Sequence, residues 1–196
     1  MPRVTKILNI TPPSSFVSID ASTNSMAFAI FNNGTITSYG KIKFNGANIN
    51  EKLKDISTKT KAFFDTLPDG TIIVIEDTIY TNSHNTAAQL AKAQGALLGG
   101  AFLAGAMKSY AVSPMAWQSY IGTRLLTPAE KAAIKKQFPN KSAAWYKAKE
   151  RDIRKHKTID TVNKRYNTDV NDDDVADAMG LATYAAHNWG KVTKEK

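Results

Sequence analysis

Acidic residues follow two largely apolar runs of the sequence at matching positions. Asp20 comes directly after residues 16–19, and Glu76 comes directly after residues 72–75. Both runs are typical of buried strands, so we expect each carboxylate to lie at a strand end. A carboxylate there is costly unless it is paired or bound to a cation. Either acid alone could be a satisfied structural residue or a cap, but two at matching positions indicate a shared acidic site.

A third group of acids begins the last helix that the sequence predicts. Residues 171–178 read NDDDVADA, and simple capping accounts for Asp172 and part of Asp173. At about 100° per residue, helix geometry turns Asp174 toward the apolar face, sets Asp177 at its border and points Asp173 away. We therefore expect Asp174 and Asp177 to look toward the acidic strand ends.

These acids would form a cluster of oxygen ligands without His or Cys. Such hard ligands select Mg²⁺, with Mn²⁺ as a substitute, over zinc. Two ions about 4 Å apart can activate a water and stabilise the leaving oxygen of a phosphodiester. The predicted catalytic and metal-binding residues are Asp20, Glu76, Asp174 and Asp177.

The elements that must position these acids follow from the hydrophobic pattern. Three strands near the N-terminus read as a meander, followed by a helix, a strand, a long helix, another strand and further helices. This order predicts an α/β fold with a mixed five-stranded sheet, a three-strand antiparallel meander plus parallel strands, flanked by helices. The order resembles the ribonuclease H-like (RNase H-like) architecture, although several α/β folds share it.

Composition fits a single domain away from membranes and oxidising compartments. The 196 residues are 42% hydrophobic and include no cysteine, which excludes a disulfide framework and a thiolate metal site. The longest apolar stretch, residues 96–107, is far shorter than the roughly 20 residues that span a bilayer. The first residues lack the apolar core of a signal peptide. We expect a cytoplasmic protein without membrane association.

The positive charge is concentrated in residues 124–165. The chain carries 26 Lys+Arg and 17 Asp+Glu, a net charge of +9, and this segment alone holds 13 basic and 4 acidic groups together with Trp145 and Tyr146. Such a one-sided run favours contact with nucleic acid over a pair of merely solvated helices. The predicted DNA-binding residues are Lys131, Lys135, Lys147, Arg151, Arg154 and Lys155, with Tyr80 and Asn82 in the loop beyond Glu76.

The chain divides into three predicted parts. Residues 1–15 form a flexible N-terminal arm ended by Pro and Ser residues. Residues 16–190 form one RNase H-like nuclease domain that includes the basic helical segment at about 124–165. Residues 191–196 form a basic tail.

The acidic motifs also carry a resemblance to a known family. In order along the chain they are SIDAS at 18–22, IVIED at 73–77, QLAKAQGA at 89–96 and DVADA at 174–178. They resemble the motifs of the RuvC-type Holliday junction resolvases, over about residues 16–189. The DDVAD form of the last motif and VSP at 112–114 look more like viral members of that family, which points to a phage origin.

The resemblance implies a homodimer that binds a four-way DNA junction, each subunit making one metal-dependent nick, in a bacterial or virus-infected cell. It gives the catalytic roles to the four acids named above and matches Lys131 to a basic residue near the family's active site. Bacterial members of the family carry an aromatic residue that acts as a wedge at the junction. Its position corresponds here to Ile79, and Tyr80 is the next residue. The glycine-rich helix at residues 85–107 becomes a candidate subunit interface, beside the alternative of a closely packed core helix.

Other functions stay open on the sequence. One is an RNase H-fold nuclease acting on RNA–DNA hybrid or flap substrates. Another is a non-catalytic junction-binding protein, which the presence of all four acids disfavours. A third is a phosphotransferase of the actin and sugar-kinase type, because residues 19–23 are similar to a phosphate loop of those proteins. Against it, Ala21 stands where that loop has glycine, and 196 residues are few for a two-lobed fold.

Overall fold

The computed structural model describes residues 11–77 and 83–194. In chain order, the strands are β1 (Ser15–Ala21), β2 (Ser25–Asn32), β3 (Thr35–Lys43), β4 (Ile72–Glu76) and β5 (Lys108–Val112). The helices are α1 (Ile49–Phe64), α2 (His84–Leu103), α3 (Pro114–Tyr120), α4 (Pro128–Gln137), α5 (Ala143–Tyr166), α6 (Asp173–His187) and α7 (Trp189–Val192). Residues 1–10 of the predicted arm and the last two of the predicted tail lie outside the described residues.

The strands form one mixed sheet in the order β3-β2-β1-β4-β5. β1, β2 and β3 pair antiparallel, whereas β4 pairs parallel with β1, and β5 pairs parallel with β4. The fold class predicted from the sequence is confirmed. A bulge between Ile30 and Phe31 shifts the register of β2 against β3, and beyond it Lys41 lies opposite Ala27.

Helices cover both faces of the sheet. On one face, α1 and α2 pack over Ile19 and Ile75. On the other, α6 with α3 and α7 packs over Phe16 and Val74. Because successive side chains of a strand point to opposite faces, Asp20, the second-last residue of β1, lies on the α6 face, two residues beyond Ser18.

Small residues bring α6 close to the sheet. Ser18 Oγ donates to the main-chain oxygen of Ala178 at 2.7 Å, and Ala178 and Ala182 are buried. Gly180 of α6 lets α3 pack closely against this helix, since a Cβ at position 180 would lie 2.9 Å from the ring of Trp117. The first turn of α6 is thereby held beside the ends of β1 and β4.

Several boundaries differ from the sequence-based expectation. Pro114 begins the short helix α3 directly after β5. The long helix, expected at residues 85–107, spans His84–Leu103 and is capped by Ser83. The last predicted helix breaks at Asn188 into α6 and α7. None of the helices in the described ranges has the length and apolar content needed to cross a membrane.

Candidate active site

The carboxyl ends of β1 and β4 and the first turns of α6 open on one cleft of about 320 Å³. Ile19 pairs with Ile75 across the parallel strands, so the acids that follow them leave the sheet at the same level. Asp174 and Asp177 enter from α6, about one turn apart. The structure therefore brings the four predicted acids together; the cleft is lined by Asp20, Glu76, Asp174 and Asp177.

Asp173 lines the same cleft, although the helical wheel points it away from the sheet. The reason is that the cleft has a second wall, formed by α5, which the wheel does not include. From that wall Lys155 forms an ion pair with Asp173. Arg151, Arg154 and Thr158 of α5 complete the wall, so acids from the sheet face a largely basic helix.

Burial and mutual repulsion make the ionised cluster costly. Burial raises the pKa of Asp20 well above its usual range, and repulsion from Glu76 and the acids of α6 adds to the effect. Burial, followed by repulsion from Glu76 and Asp174, raises the pKa of Asp177 to about 7. Burial also raises the pKa of Glu76, against the effect of a hydrogen bond from Trp117. A bound cation would relieve all three costs.

Trp117 holds the carboxylate of Glu76. Its indole Nε1 donates to Glu76 Oε2 at 2.6 Å, and the Gln94 side chain donates to the main-chain oxygen of Glu76 at 3.1 Å. Trp117 is fully buried. Its hydrogen bond to Glu76 had no signal in the sequence, because the two residues are 41 positions apart.

Lys41 is a further residue that sequence reasoning missed. From β3, its ammonium contacts Asp172 Oδ2 at 3.0 Å and Asp174 Oδ2 at 2.6 Å. Asp172 in turn caps α6 by accepting from the main-chain N–H groups of Asp174 and Val175. Burial lowers the pKa of Lys41, but the hydrogen bonds to these two aspartates outweigh it and raise the pKa above its ordinary value.

The donor set fits a hard divalent cation, because every candidate ligand is a carboxylate oxygen. Among the described residues, carboxylate oxygens within 4.8 Å of one another come from Asp172, Asp173 and Asp174. Lysines compensate this triad, whereas the acids at the strand ends and Asp177 carry raised pKa values. The cost of ionisation thus falls on Asp20, Glu76 and Asp177.

A basic groove of about 730 Å³ adjoins the acidic cleft between α4 and α5. Arg151 and Arg154 line both cavities, so the two are continuous. The other cations of the groove are Lys131, Lys135, Lys141 and Lys147. Lys131 is paired with Glu150 at 2.9 Å. Of the predicted DNA contacts, Tyr80 and Asn82 lie outside the described residues, as does the wedge position Ile79.

Comparison with known proteins gives similarity in structure and not in sequence. No family model matches the chain, and no curated protein matches it. RuvC from T. thermophilus, in complex with a Holliday junction substrate, is similar with a TM-score of 0.62 and 16% identity over 91% of this chain and 97% of that one. A second structure of Thermus thermophilus RuvC has a TM-score of 0.57 and 15% identity, over 88% and 94% of the two chains. The fold is RNase H-like.

Proposed function

We propose that this chain is an endonuclease that resolves four-way (Holliday) and related branched DNA junctions by metal-dependent hydrolysis. The convergence of four acids from three elements in one cleft, opposite a basic helix, carries the proposal. The RuvC resemblance of the motifs and the shared fold support it, and the similar RuvC structure holds a Holliday junction substrate. Four-way junctions arise in the cytoplasm of bacterial and phage-infected cells, where we place the protein.

The proposed cofactor is a pair of Mg²⁺ ions, for which Mn²⁺ would substitute. The four acids would hold the ions, which supply Lewis-acid charge for activating a water and for stabilising the leaving oxygen. The chain contributes rigidity, because Asp20 and Glu76 lie in the last residues of paired strands and Trp117 fixes one oxygen of Glu76. The raised pKa of Asp177 supports a binding step in which this carboxyl gives up a proton.

The proposed DNA interface follows the basic groove. Its cations neutralise backbone phosphates, which carry affinity without reading sequence. Arg151 and Arg154, at the passage between groove and cleft, would receive the phosphate nearest the cut. The other residues of this interface are Lys131, Lys135, Lys147 and Lys155, with Tyr80 and Asn82 proposed at the junction centre.

We also propose that two copies pair through the outer face of α2. Gly95 and Gly99 on this face have open space where a Cβ would be. At the end of the helix Phe102 and Leu103 are 43% and 75% exposed. Small residues let two helices approach closely, and the exposed apolar side chains would be covered in the dimer. Two active sites would then make paired cuts.

The test is cleavage of a labelled synthetic four-way junction with Mg²⁺, beside flap and RNA–DNA hybrid substrates. We expect paired, symmetric nicks on the junction. Asp20→Asn should abolish cleavage while junction binding survives or tightens, because it removes a ligand and a repulsive charge. Asp160→Asn, on the exposed surface of α5, is the control. Full cleavage by the Asp20 variant would overturn the proposal, and a preference for hybrid or flap would support the alternative nuclease.

A further inference from the structure

Lys41 lies in a row with one of the acids across the sheet. Asp20 pairs with Ala27 on β2, and Ala27 pairs with Lys41 on β3. Directly opposed residues of antiparallel strands point to the same face. The small side chain of Ala27 therefore separates the ammonium from the carboxylate on the face that α6 covers.

The ammonium bridges two acids at the start of α6. It lies 2.6 Å from Asp174 Oδ2 and 3.0 Å from Asp172 Oδ2. The Lys41 side chain is 22% exposed, against 36% and 37% for its partners. The pair is thus partly shielded from water, where a charge–charge contact is stronger than at an open surface. Lys41 already neutralises a carboxylate that the proposed function assigns to the metal.

We infer that Lys41 is a positioning residue that competes with the divalent cation for Asp174 and so lowers the affinity of the cleft for the metal. The inference rests on the proposed function. In the DNA-free protein, a cation that binds Asp174 Oδ2 must displace the ammonium, and a cation that binds the other oxygen meets its repulsion. The affinity of the DNA-free protein for the metal is lowered as a result.

The test compares Lys41→Met and Lys41→Arg with the native protein. Calorimetric titration of the DNA-free protein with Mn²⁺ should show about tenfold tighter binding to Lys41→Met, because a competing and repelling charge is gone. Lys41→Arg keeps the charge and should bind within about twofold of the native protein. Lys59→Met is the matched control, since it breaks a Lys–Asp pair of similar length, 2.8 Å, on α1.

The direction of the change separates competition from simple support of α6. If Lys41 only held α6 in place, Lys41→Met would loosen Asp174 and weaken metal binding. Equal or weaker Mn²⁺ binding by a Lys41→Met protein with native circular dichroism overturns the inference, while native cleavage of junctions leaves the proposed function standing. Absence of Mn²⁺ binding by both the native protein and Lys41→Met overturns both.

Discussion

Replacing Asp177 by Asn should stabilise the metal-free protein and abolish the proposed metal-dependent cleavage. Asp177 is partly buried beside other acids, and its pKa rises from an ordinary value of 3.8 to about 7. Between those values the unfolded chain has released the proton that the native state keeps. The free energy of unfolding of the native sequence therefore falls as pH rises from about 4 to 7. Above pH 7 the contribution of Asp177 to it no longer changes. Asn carries no such cost.

The magnitude follows from the size of the shift. Three pH units at about 1.4 kcal/mol each give an upper limit of about 4 kcal/mol at pH 8. Relaxation and water entry reduce such costs at partly exposed sites, so we expect about 1–3 kcal/mol. At pH 4 the two proteins should differ little through this group, because the carboxyl is largely protonated in the native state and half protonated when unfolded.

Urea unfolding in EDTA at pH 4, 6 and 8 measures the effect, with the surface variant Asp160→Asn as the control. Addition of Mg²⁺ should stabilise the native sequence and leave Asp177→Asn with a smaller gain, because ligand binding to the folded state adds to stability. A variant that is less stable than the native protein at pH 8 in EDTA would refute the reasoning. So would a stability difference that does not change with pH.

Three further changes test the neighbouring parts of the site. Trp117→Phe keeps an aromatic ring but removes the donor to Glu76, so junction cleavage should fall about 10–100-fold with binding unchanged in a mobility-shift assay; unaltered cleavage would contradict this. Gly180→Ala should lower the urea midpoint, because overpacking against Trp117 at about 1–3 kcal/mol exceeds a helix-propensity gain of about 1 kcal/mol; a more stable variant would speak against it. Replacing Lys135 and Lys147 by Met should reduce the slope of log binding constant against log salt by about 2, measured by fluorescence anisotropy; an unchanged slope would remove them from the interface.

The acids could be found from the sequence because each follows a pattern with a strong local cause. Apolar runs that end in an acid mark Asp20 and Glu76, and a helix start marks Asp174 and Asp177. The mixed sheet was predictable for the same reason, since alternation and continuous apolar runs identify strands without knowledge of their partners. Orientation relative to distant elements was not, as the Lys155 contact of Asp173 illustrates.

The place of Lys41 at the site could not be predicted from the sequence, because the face of the sheet on which it lies depends on one bulge. Continuing the pairing of Asn32 with Thr35 along the hairpin would set Gly40 opposite Ala27 and turn Lys41 to the face that α1 and α2 cover. The bulge between Ile30 and Phe31 shifts the register by one residue and brings Lys41 to the α6 face. No local residue pattern predicts that shift in register.

The distribution of charge across the cleft implies an order of occupancy. Lys41 and Lys155 compensate the triad at the start of α6, whereas burial raises the pKa of Asp20 and Glu76 on the sheet side. Cations would therefore gain most by lying against the sheet, and a phosphate would gain most between them and Arg151 of α5. From the sheet to α5, the order would then be the strand-end acids, the cations, the phosphate and the basic side chains of α5. In this arrangement the backbone of the proposed DNA substrate would reach the metal ions only after entering the basic groove, so the lysines and arginines that attract it would also orient the phosphate toward the acids.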